Sequence, residues 1–103
     1  MHKETKATQI SGETKRIVWQ RDGCRCVLCG SIAAAPHCHF IRRSQGGLGC
    51  EENIWTGCDK CHAEFDSEAT DGVLHKTVEN HLKNWYKNWD KASLVYKKYD
   101  WSK

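Results

Sequence analysis

Residues 37–66 read HCHFIRRSQGGLGCEENIWTGCDKCHAEFD, and they decide how the rest of the chain is organised. This stretch contains one C-x2-C unit, Cys58 and Cys61, and a second unit, Cys26 and Cys29, lies upstream of it. Two such units are typical of a closed, tetrahedral four-cysteine zinc site. We therefore predict a structural Zn²⁺ that clamps both ends of a segment rich in His, Arg, Asn and Gly.

The metal is expected to decide whether the chain folds. A domain of 103 residues gains limited stability from hydrophobic burial alone. Zinc binding in small domains contributes ~10–16 kcal/mol, comparable with the ~5–15 kcal/mol stability of a whole domain. The odd count of seven Cys, four of them in paired units, favours a reducing compartment over a disulfide framework. We expect a cytoplasmic protein, because no apolar run is long enough to span a membrane.

The distribution of charge points to where a polyanion would bind. The net charge is +3, which excludes a strongly basic nucleic-acid coat. Residues 1–49 carry eight Lys and Arg against three Asp and Glu, whereas residues 50–103 carry eight against ten. A polyanionic partner should therefore contact the N-terminal half and the loop that contains Arg42 and Arg43, although so small an excess does not identify the partner.

Capping and turn residues predict the order of secondary structure. Ser11 is a suitable N-cap and Asp22-Gly23 a stop signal, which together predict a helix over 13–21. An apolar stripe at steps of three or four predicts a long helix over 73–88, with Asp71 as its cap. The remaining predicted elements are strands over 37–41 and 53–56, a helix from Cys58 to Glu68, and a short helix within 90–101.

These elements predict three regions in the chain. Residues 1–10 are polar and unpatterned, so we expect a flexible tail there. Residues 11–70 should form the zinc-containing core, and residues 71–103 a helical extension that packs on it. Aromatic residues on helices usually belong to the core, an assignment we favour over base stacking for Trp85, Trp89 and Trp101.

Three polar residues inside the zinc-clamped segment form a candidate site. His39 lies on the first predicted strand, Asn53 begins the second, and His62 follows the last cysteine of the zinc site. A hairpin folded against the following helix would bring all three together. Histidine accepts a proton near neutral pH and also binds divalent cations. A single histidine is more often an ordinary surface or core residue, but three such residues in one hairpin and helix favour a site.

The pattern resembles the HNH nuclease family, whose fold is called ββα-metal. The residues that carry the resemblance read CVLCG, then HFIRRSQGG, then ENIWTGCDKCHAEFD, within about residues 14–68. The match is best to the small, stand-alone HNH proteins of phages and prophages. It implies an α+β fold: a small zinc-stabilised ββα-metal domain with a flanking N-terminal helix and C-terminal helices.

The resemblance also implies an activity, which is hydrolysis of DNA phosphodiester bonds by an endonuclease that uses one divalent cation. By the same resemblance His39 is the general base, Asn53 supports the hairpin loop, and His62 binds the cation. Arg42 and Arg43 would then contact the DNA backbone. Cleavage of one strand, as by a nicking enzyme, is included in this expectation.

One position departs from the family pattern. The residue before the base is usually Asp or His and binds the cation, but here it is Cys38. A thiolate favours softer ions such as Zn²⁺, Co²⁺ or Ni²⁺ over Mg²⁺ and Mn²⁺. Strand alternation puts His37 on the face of His39, opposite Cys38, so His37 is the alternative ligand. Asp66, four residues after His62 on a helix, is a candidate third ligand.

Two other classes of function remain open. One is a non-catalytic zinc module that binds DNA, in which Cys38, in place of the usual ligand, no longer allows the catalytic cation to bind. The other is an adaptor that contacts other phage proteins, for example in a packaging complex. We expect a monomer in each case, and DNA cleavage that depends on a divalent ion would distinguish the nuclease from both alternatives.

Overall fold

Two antiparallel strands and three α-helices form the α+β structure of residues 7–96, the part of the chain that this computed structural model describes. The helices, labelled in chain order, are α1 (Gly12–Arg21), α2 (Asp59–Ser67) and α3 (Val73–Trp85). The strands are β1 (Ala35–His39) and β2 (Ile54–Gly57), and short 3-10 helices cover Arg43–Gln45 and Lys91–Leu94. Within these residues, no helix has the length and apolar character needed to cross a membrane.

Helix α1 confirms the prediction from its capping residues. The Ser11 hydroxyl oxygen accepts a hydrogen bond from the Thr14 N–H at 3.1 Å, which satisfies a donor of the first turn. The helix ends at Asp22, and Gly23 follows with a φ of 76°. That left-handed conformation suits glycine and turns the chain towards the first C-x2-C unit.

The hairpin contains an irregularity that the sequence did not predict. Cys38 pairs with Trp55 and His39 with Ile54, whereas Ala35 pairs with Gly57. Strand β1 therefore has one more residue than β2 over the same stretch, as in a β-bulge. It also covers Ala35–His39 rather than the predicted 37–41, and β2 begins one residue later than predicted.

Helix α2 covers the hairpin and builds the core with it. Phe65 on α2 is fully buried, and its ring lies 5.0 Å from that of Trp55 on β2 and 6.0 Å from that of Phe40. Rings at such separations contribute about 0.5–1.5 kcal/mol beyond their buried area. The buried core cluster comprises Cys38, Phe40, Trp55, Phe65, Val78, Leu82 and Leu94.

Helix α3 packs on this core through Val78 and Leu82, both fully buried, as the apolar stripe predicted. Its predicted end at residue 88 is wrong, because Tyr86 is extended and ends the helix at Trp85. Trp85 is 55% exposed, so its assignment to the core is also wrong. Trp89 packs against the core cluster as expected.

The carboxylate that accepts a backbone N–H at the start of α3 belongs to Glu68, not to the predicted Asp71. The N-cap is Gly72 rather than Asp71, and it offers no side-chain hydrogen bond. The Glu68 carboxylate instead accepts the His75 N–H at 2.6 Å and contacts His75 Nδ1 at 2.8 Å. A carboxylate at this end of a helix also interacts favourably with the helix dipole.

Segments from both ends of the described chain flank the hairpin loop. The predicted helix within 90–101 is a 3-10 helix over Lys91–Leu94, and residues 97–103, with Trp101, lie outside the described part. The Leu48 N–H donates to the Leu94 carbonyl at 2.8 Å, and the Tyr96 N–H donates to the Gly46 carbonyl at 2.7 Å. The C-terminal extension therefore packs on the core by backbone pairing as well as through α3.

Residues 7–10, predicted to belong to a flexible tail, contact the same loop from the other side. Thr8 is only 2% exposed, and the Gly49 N–H donates to the Ala7 carbonyl at 3.0 Å. A Cβ atom on Gly49 would lie 1.9 Å from the Gln9 carbonyl oxygen, so this close approach requires glycine. The expectation of a loose tail is thus wrong for residues 7–10, because their backbone pairs with the loop.

A buried ion pair joins the helix α1 to the hairpin. The side chains of Arg21 and Asp22 are 4% and 0% exposed, and two N–H···O bonds of 2.8 and 3.1 Å connect them. Arg21 also donates to the carbonyls of Glu51 at 2.6 Å and Ile54 at 2.7 Å. These bonds satisfy the guanidinium away from water and fix α1 against β2.

The same carboxylate connects α1 to α3. Asp22 accepts the Thr56 N–H at 2.8 Å and lies 2.7 Å from His81 Nε2 on α3. Burial acts to raise the pKa of Asp22, but hydrogen bonds from His81 and Arg21 outweigh it and lower the pKa. A depressed pKa means that the ionised form stabilises the fold at neutral pH, and this contribution is lost as the pH falls through the lowered value.

We expect Asp22→Asn to lower the free energy of unfolding by about 3–5 kcal/mol, because it leaves the Arg21 charge buried without its counter-ion. The measurement is urea denaturation of the zinc-loaded protein at pH 7. Glu13→Gln is the matched control, since Glu13 is an exposed acid of the same helix, 3.9 Å from Arg16. It should change stability by less than about 0.5 kcal/mol. Equal stability of the two variants would show that the buried pair does not hold the helix.

Candidate metal centres and active site

The four cysteines predicted to bind zinc converge on one point. Their Sγ atoms lie within 4.8 Å of one another, and the Sγ atoms of Cys29 and Cys58 are 3.6 Å apart. A tetrahedral zinc site with Zn–S bonds of about 2.3 Å places its sulfurs about 3.8 Å apart. The arrangement fits a metal ion, and the four candidate ligands are Cys26, Cys29, Cys58 and Cys61.

Local backbone geometry prepares both C-x2-C units for a metal. The Cys29 N–H donates to Cys26 Sγ at 3.5 Å, and the Cys61 N–H donates to Cys58 Sγ at 3.4 Å. Gly30, with a φ of 79°, lets the chain turn sharply after the first unit. Burial acts to raise the pKa of Cys26, but backbone N–H groups, chiefly that of Cys29, lower it to about 7. Such donors favour the thiolate, which is the form that binds zinc.

Zinc removal should unfold the protein. Cys58→Ser removes a zinc ligand and the thiolate cap of α2, so we expect loss of bound zinc and loss of the cooperative thermal transition. Zinc content by elemental analysis and melting by circular dichroism measure the two effects. Cys24→Ser is the control, because Cys24 is exposed and outside the cluster. If Cys58→Ser keeps its zinc and melts like the wild type, the four-cysteine assignment fails.

A second group of potential ligands lies between the hairpin and α2. One ligand atom each from His37, Cys38 and His62 lies within 4.8 Å of the other two. The rings of His37 and His62 have centroids 5.2 Å apart. His37 and Cys38, the two candidates for the ligand position beside His62, therefore both lie close to it. Strand alternation does not separate His37 from Cys38, because the bulge in β1 breaks the regular register.

The surroundings of this second group distinguish its members. His37 Nε2 is buried and has no hydrogen-bond partner among residues 7–96, which is unusual for a polar atom removed from water. Cys38 is fully buried as part of the core cluster, and burial raises the pKa of its thiol. Burial and the nearby His62 lower the pKa of His37, so this imidazole is neutral and able to bind a metal at pH 7.

His39 lies at the end of β1 with one ring nitrogen occupied. Its Nε2 is 3.0 Å from the Thr8 carbonyl oxygen. A carbonyl only accepts hydrogen bonds, so Nε2 carries the proton and Nδ1 keeps a free lone pair. Burial lowers the pKa of His39, the Thr8 carbonyl acts to raise it, and the Arg43 charge lowers it further, with a net decrease. The imidazole is therefore neutral at pH 7, as a general base must be.

Asn53 holds both ends of the hairpin loop. It is fully buried, and its Oδ1 accepts the Ile41 N–H at 2.8 Å. Its Nδ2 donates to the carbonyls of Ile41 at 3.2 Å and Leu48 at 2.8 Å. With these bonds the amide fixes the loop that begins two residues after His39, and it contacts the backbone rather than the imidazole.

Most of the predicted site residues line a common cavity of about 290 Å³, but Cys38 and Asn53 do not. Its walls include His37, His39, His62, Arg42, Arg43 and Asp66. A larger cavity of about 780 Å³ shares His37, His39 and Arg43 with it and is also lined by residues 8–11 and Lys15. Asn53 lies outside both cavities, consistent with a structural position in the loop.

Arginine and aspartate side chains connect this cavity to its surroundings. Arg42 Nη2 donates to the Asp66 carbonyl, and Arg43 Nε donates to Thr8 Oγ1 at 3.1 Å. Asp66 is not in the three-residue ligand group; its Oδ2 lies 3.1 Å from His62 Nε2. Asp66 therefore lies beside His62 on the helix, as predicted. Its carboxylate contacts the His62 ring but does not join the group of His37, Cys38 and His62.

The contribution of Thr8 to the site was not predicted. Its partners His39 and Arg43 are more than thirty residues away, and the polar segment around it has no periodicity that would place it. Nothing in the sequence short of a second homologous chain would have indicated it.

Comparison of the chain with protein-family models, with curated proteins and with solved structures gives no match. The resemblance to the HNH family therefore stays a prediction that rests on the residues quoted above. The geometry establishes a four-cysteine cluster that could hold a structural metal ion and, next to it, a group of two histidines and one cysteine.

Proposed function

We propose that this chain is a metal-dependent DNA endonuclease of the HNH type, with His39 as its general base. The observation that carries the proposal is a cavity lined by a neutral histidine with a free Nδ1, by two arginines, and by His37 and His62 of the potential metal group. This combination suits hydrolysis of a phosphodiester, which needs a base for water and positive charge for the phosphate.

In this proposal His39 activates the attacking water. Nδ1 takes a proton from the water as its oxygen bonds to phosphorus, and the bond from phosphorus to the 3′-oxygen breaks. The Thr8 carbonyl stabilises the resulting imidazolium, because Nε2–H remains hydrogen-bonded to it throughout. The leaving 3′-oxygen takes a proton from solvent, and His39 releases to solvent the proton that it accepted from the attacking water.

His37, Cys38 and His62 are the residues proposed to hold the divalent cation. A cation bound there would neutralise negative charge that develops on the phosphate and the leaving oxygen. The Asp66 carboxylate, 3.1 Å from His62 Nε2, would fix the orientation and tautomer of that ligand. A sulfur among the ligands favours Zn²⁺, Co²⁺ or Ni²⁺ over Mg²⁺ and Mn²⁺.

The arginines and the structural zinc complete the proposal. Arg42 and Arg43 would contact phosphates near the scissile bond, since both line the cavity. Asn53 keeps the loop that carries both arginines in one conformation through its three side-chain hydrogen bonds to Ile41 and Leu48. The zinc cluster fixes the start of α2 and with it the position of His62.

A zinc module that binds DNA without cleaving it is the second candidate. It is favoured by the complete burial of Cys38 in the core cluster, which makes this residue a poorer ligand than an exposed carboxylate. An adaptor that binds other proteins is a further alternative, and it would show neither DNA retention nor cleavage. Gel-shift and cleavage assays on the same DNA distinguish the three.

We expect His39→Ala to cleave DNA about 10²–10⁴-fold more slowly than the wild type, the usual effect of removing a general base. The assay is cleavage of supercoiled plasmid across a panel of divalent ions, with zinc content and thermal melting as checks on folding. Equal rates for the two proteins would exclude His39 as the base. DNA binding without cleavage by the wild type would favour the second candidate.

The second metal group predicts a distinct binding event. Titration of the zinc-loaded protein with Co²⁺, followed by calorimetry, should show one further equivalent, and His37→Ala should weaken it by at least about 10-fold. Cys38→Ser should shift cleavage towards Mn²⁺ and away from Co²⁺ or Ni²⁺, because oxygen replaces sulfur. Cys50→Ser, at a partly buried cysteine outside both groups, is the control. Unchanged Co²⁺ binding in His37→Ala would remove this residue from the ligand set.

A further inference from the structure

Residues 7–10, which we call the N-terminal segment, contact two residues of the candidate active site. The Thr8 carbonyl accepts from His39 Nε2 at 3.0 Å, and Thr8 Oγ1 accepts from Arg43 Nε at 3.1 Å. Thr8 itself is 2% exposed. One residue of this segment thus binds both the proposed base and a proposed phosphate contact.

The position of the segment is set independently of His39. The Ala7 carbonyl accepts the Gly49 N–H, and Gly49 allows the Gln9 carbonyl to approach closer than any Cβ would permit. The hairpin loop therefore fixes the segment by backbone contacts that do not involve the imidazole. A contact of this kind gives the Thr8 carbonyl a defined position before substrate binds.

The carbonyl performs a task that Asn53 does not. The donors and acceptor of the Asn53 side chain are engaged with the backbone of Ile41 and Leu48. The ring of His39 is instead held by Thr8, and a fixed acceptor at Nε2 determines both the tautomer and the ring rotation. Activation of water by Nδ1 requires both.

We propose that the N-terminal segment is a positioning element for the general base, in which the Thr8 carbonyl holds the His39 imidazole with its proton on Nε2 and Nδ1 free. The catalytic part of this inference rests on the proposed function. The hydrogen bond itself can be tested without DNA, so failure of one is distinguishable from failure of the other.

Two substitutions displace the segment by different routes. Gly49→Ala places a Cβ 1.9 Å from the Gln9 carbonyl oxygen and pushes the segment off the loop. Gln9→Pro leaves the hairpin untouched, but a residue before proline is disfavoured in the helical conformation that Thr8 adopts, so its carbonyl is redirected. Gly12→Ala is the matched control, because a Cβ there meets nothing within 4 Å.

The first readout is the nuclear magnetic resonance signal of the His39 Nε2–H in the zinc-loaded protein. We expect a protected ring N–H in the wild type and Gly12→Ala, and its loss in Gly49→Ala and Gln9→Pro. The second readout is DNA cleavage, for which kcat should fall about 10–100-fold in both displaced variants while KM changes less than about 2-fold. A purely structural role would not give this selective loss in kcat together with the loss of the ring signal.

Other outcomes overturn the proposal. Persistence of the ring signal in Gln9→Pro, or unchanged kcat after the signal is lost, would show that Thr8 does not position the base. If Gly49→Ala loses its zinc, Gln9→Pro alone decides. If the wild type cleaves no DNA, the proposed nuclease function fails, and the ring signal still decides whether the segment orients His39.

Discussion

The convergence of four sulfur atoms at the base of the hairpin is the constraint on which the rest of the structure depends. One C-x2-C unit precedes β1 and the other follows β2, so a bound metal would hold both ends of the hairpin at one point. The second unit also begins α2, because Cys58 is its N-cap. A metal bound there would therefore also hold the start of the helix, and with it His62 in the first turn, against the hairpin. The buried core cluster packs α2 and α3 on the same hairpin.

Local signals predicted most of the fold, and long-range pairing produced the differences. Ser11 and Cys58 mark the starts of α1 and α2 because capping depends on residues three positions apart. The bulge in β1 depends on which residues of two strands face each other, which no short window of sequence contains. The buried pair of Arg21 and Asp22 was missed for the same reason. Adjacent opposite charges on a helix end usually face solvent, and only the arrival of the hairpin buries them.

In the candidate site, too, local signals predicted some features and long-range contacts determined the others. His39, Asn53 and His62 were predicted to come together from their order in a hairpin and helix; the first and last line one cavity, while Asn53 holds its loop. The choice between His37 and Cys38 could not be made from alternation, because the bulge brings both to His62. Thr8 was not predicted at all, since its contribution is a backbone carbonyl, and every residue has one. A sequence shows which side chains can act as a base or a ligand, but it does not show which backbone carbonyl will contact them.

The hairpin loop pairs through its backbone with Ala7 on one side and with Leu94 and Tyr96 on the other. Its final shape thus requires segments separated by almost the whole described chain. During synthesis from the N-terminus, the four-cysteine cluster can assemble as soon as Cys61 has left the ribosome, whereas the loop must wait for residues 94–96. The scaffold would then mature before the site that it carries. The four cysteines of a nascent chain would thus be able to bind a metal ion before the cavity around His39 is complete.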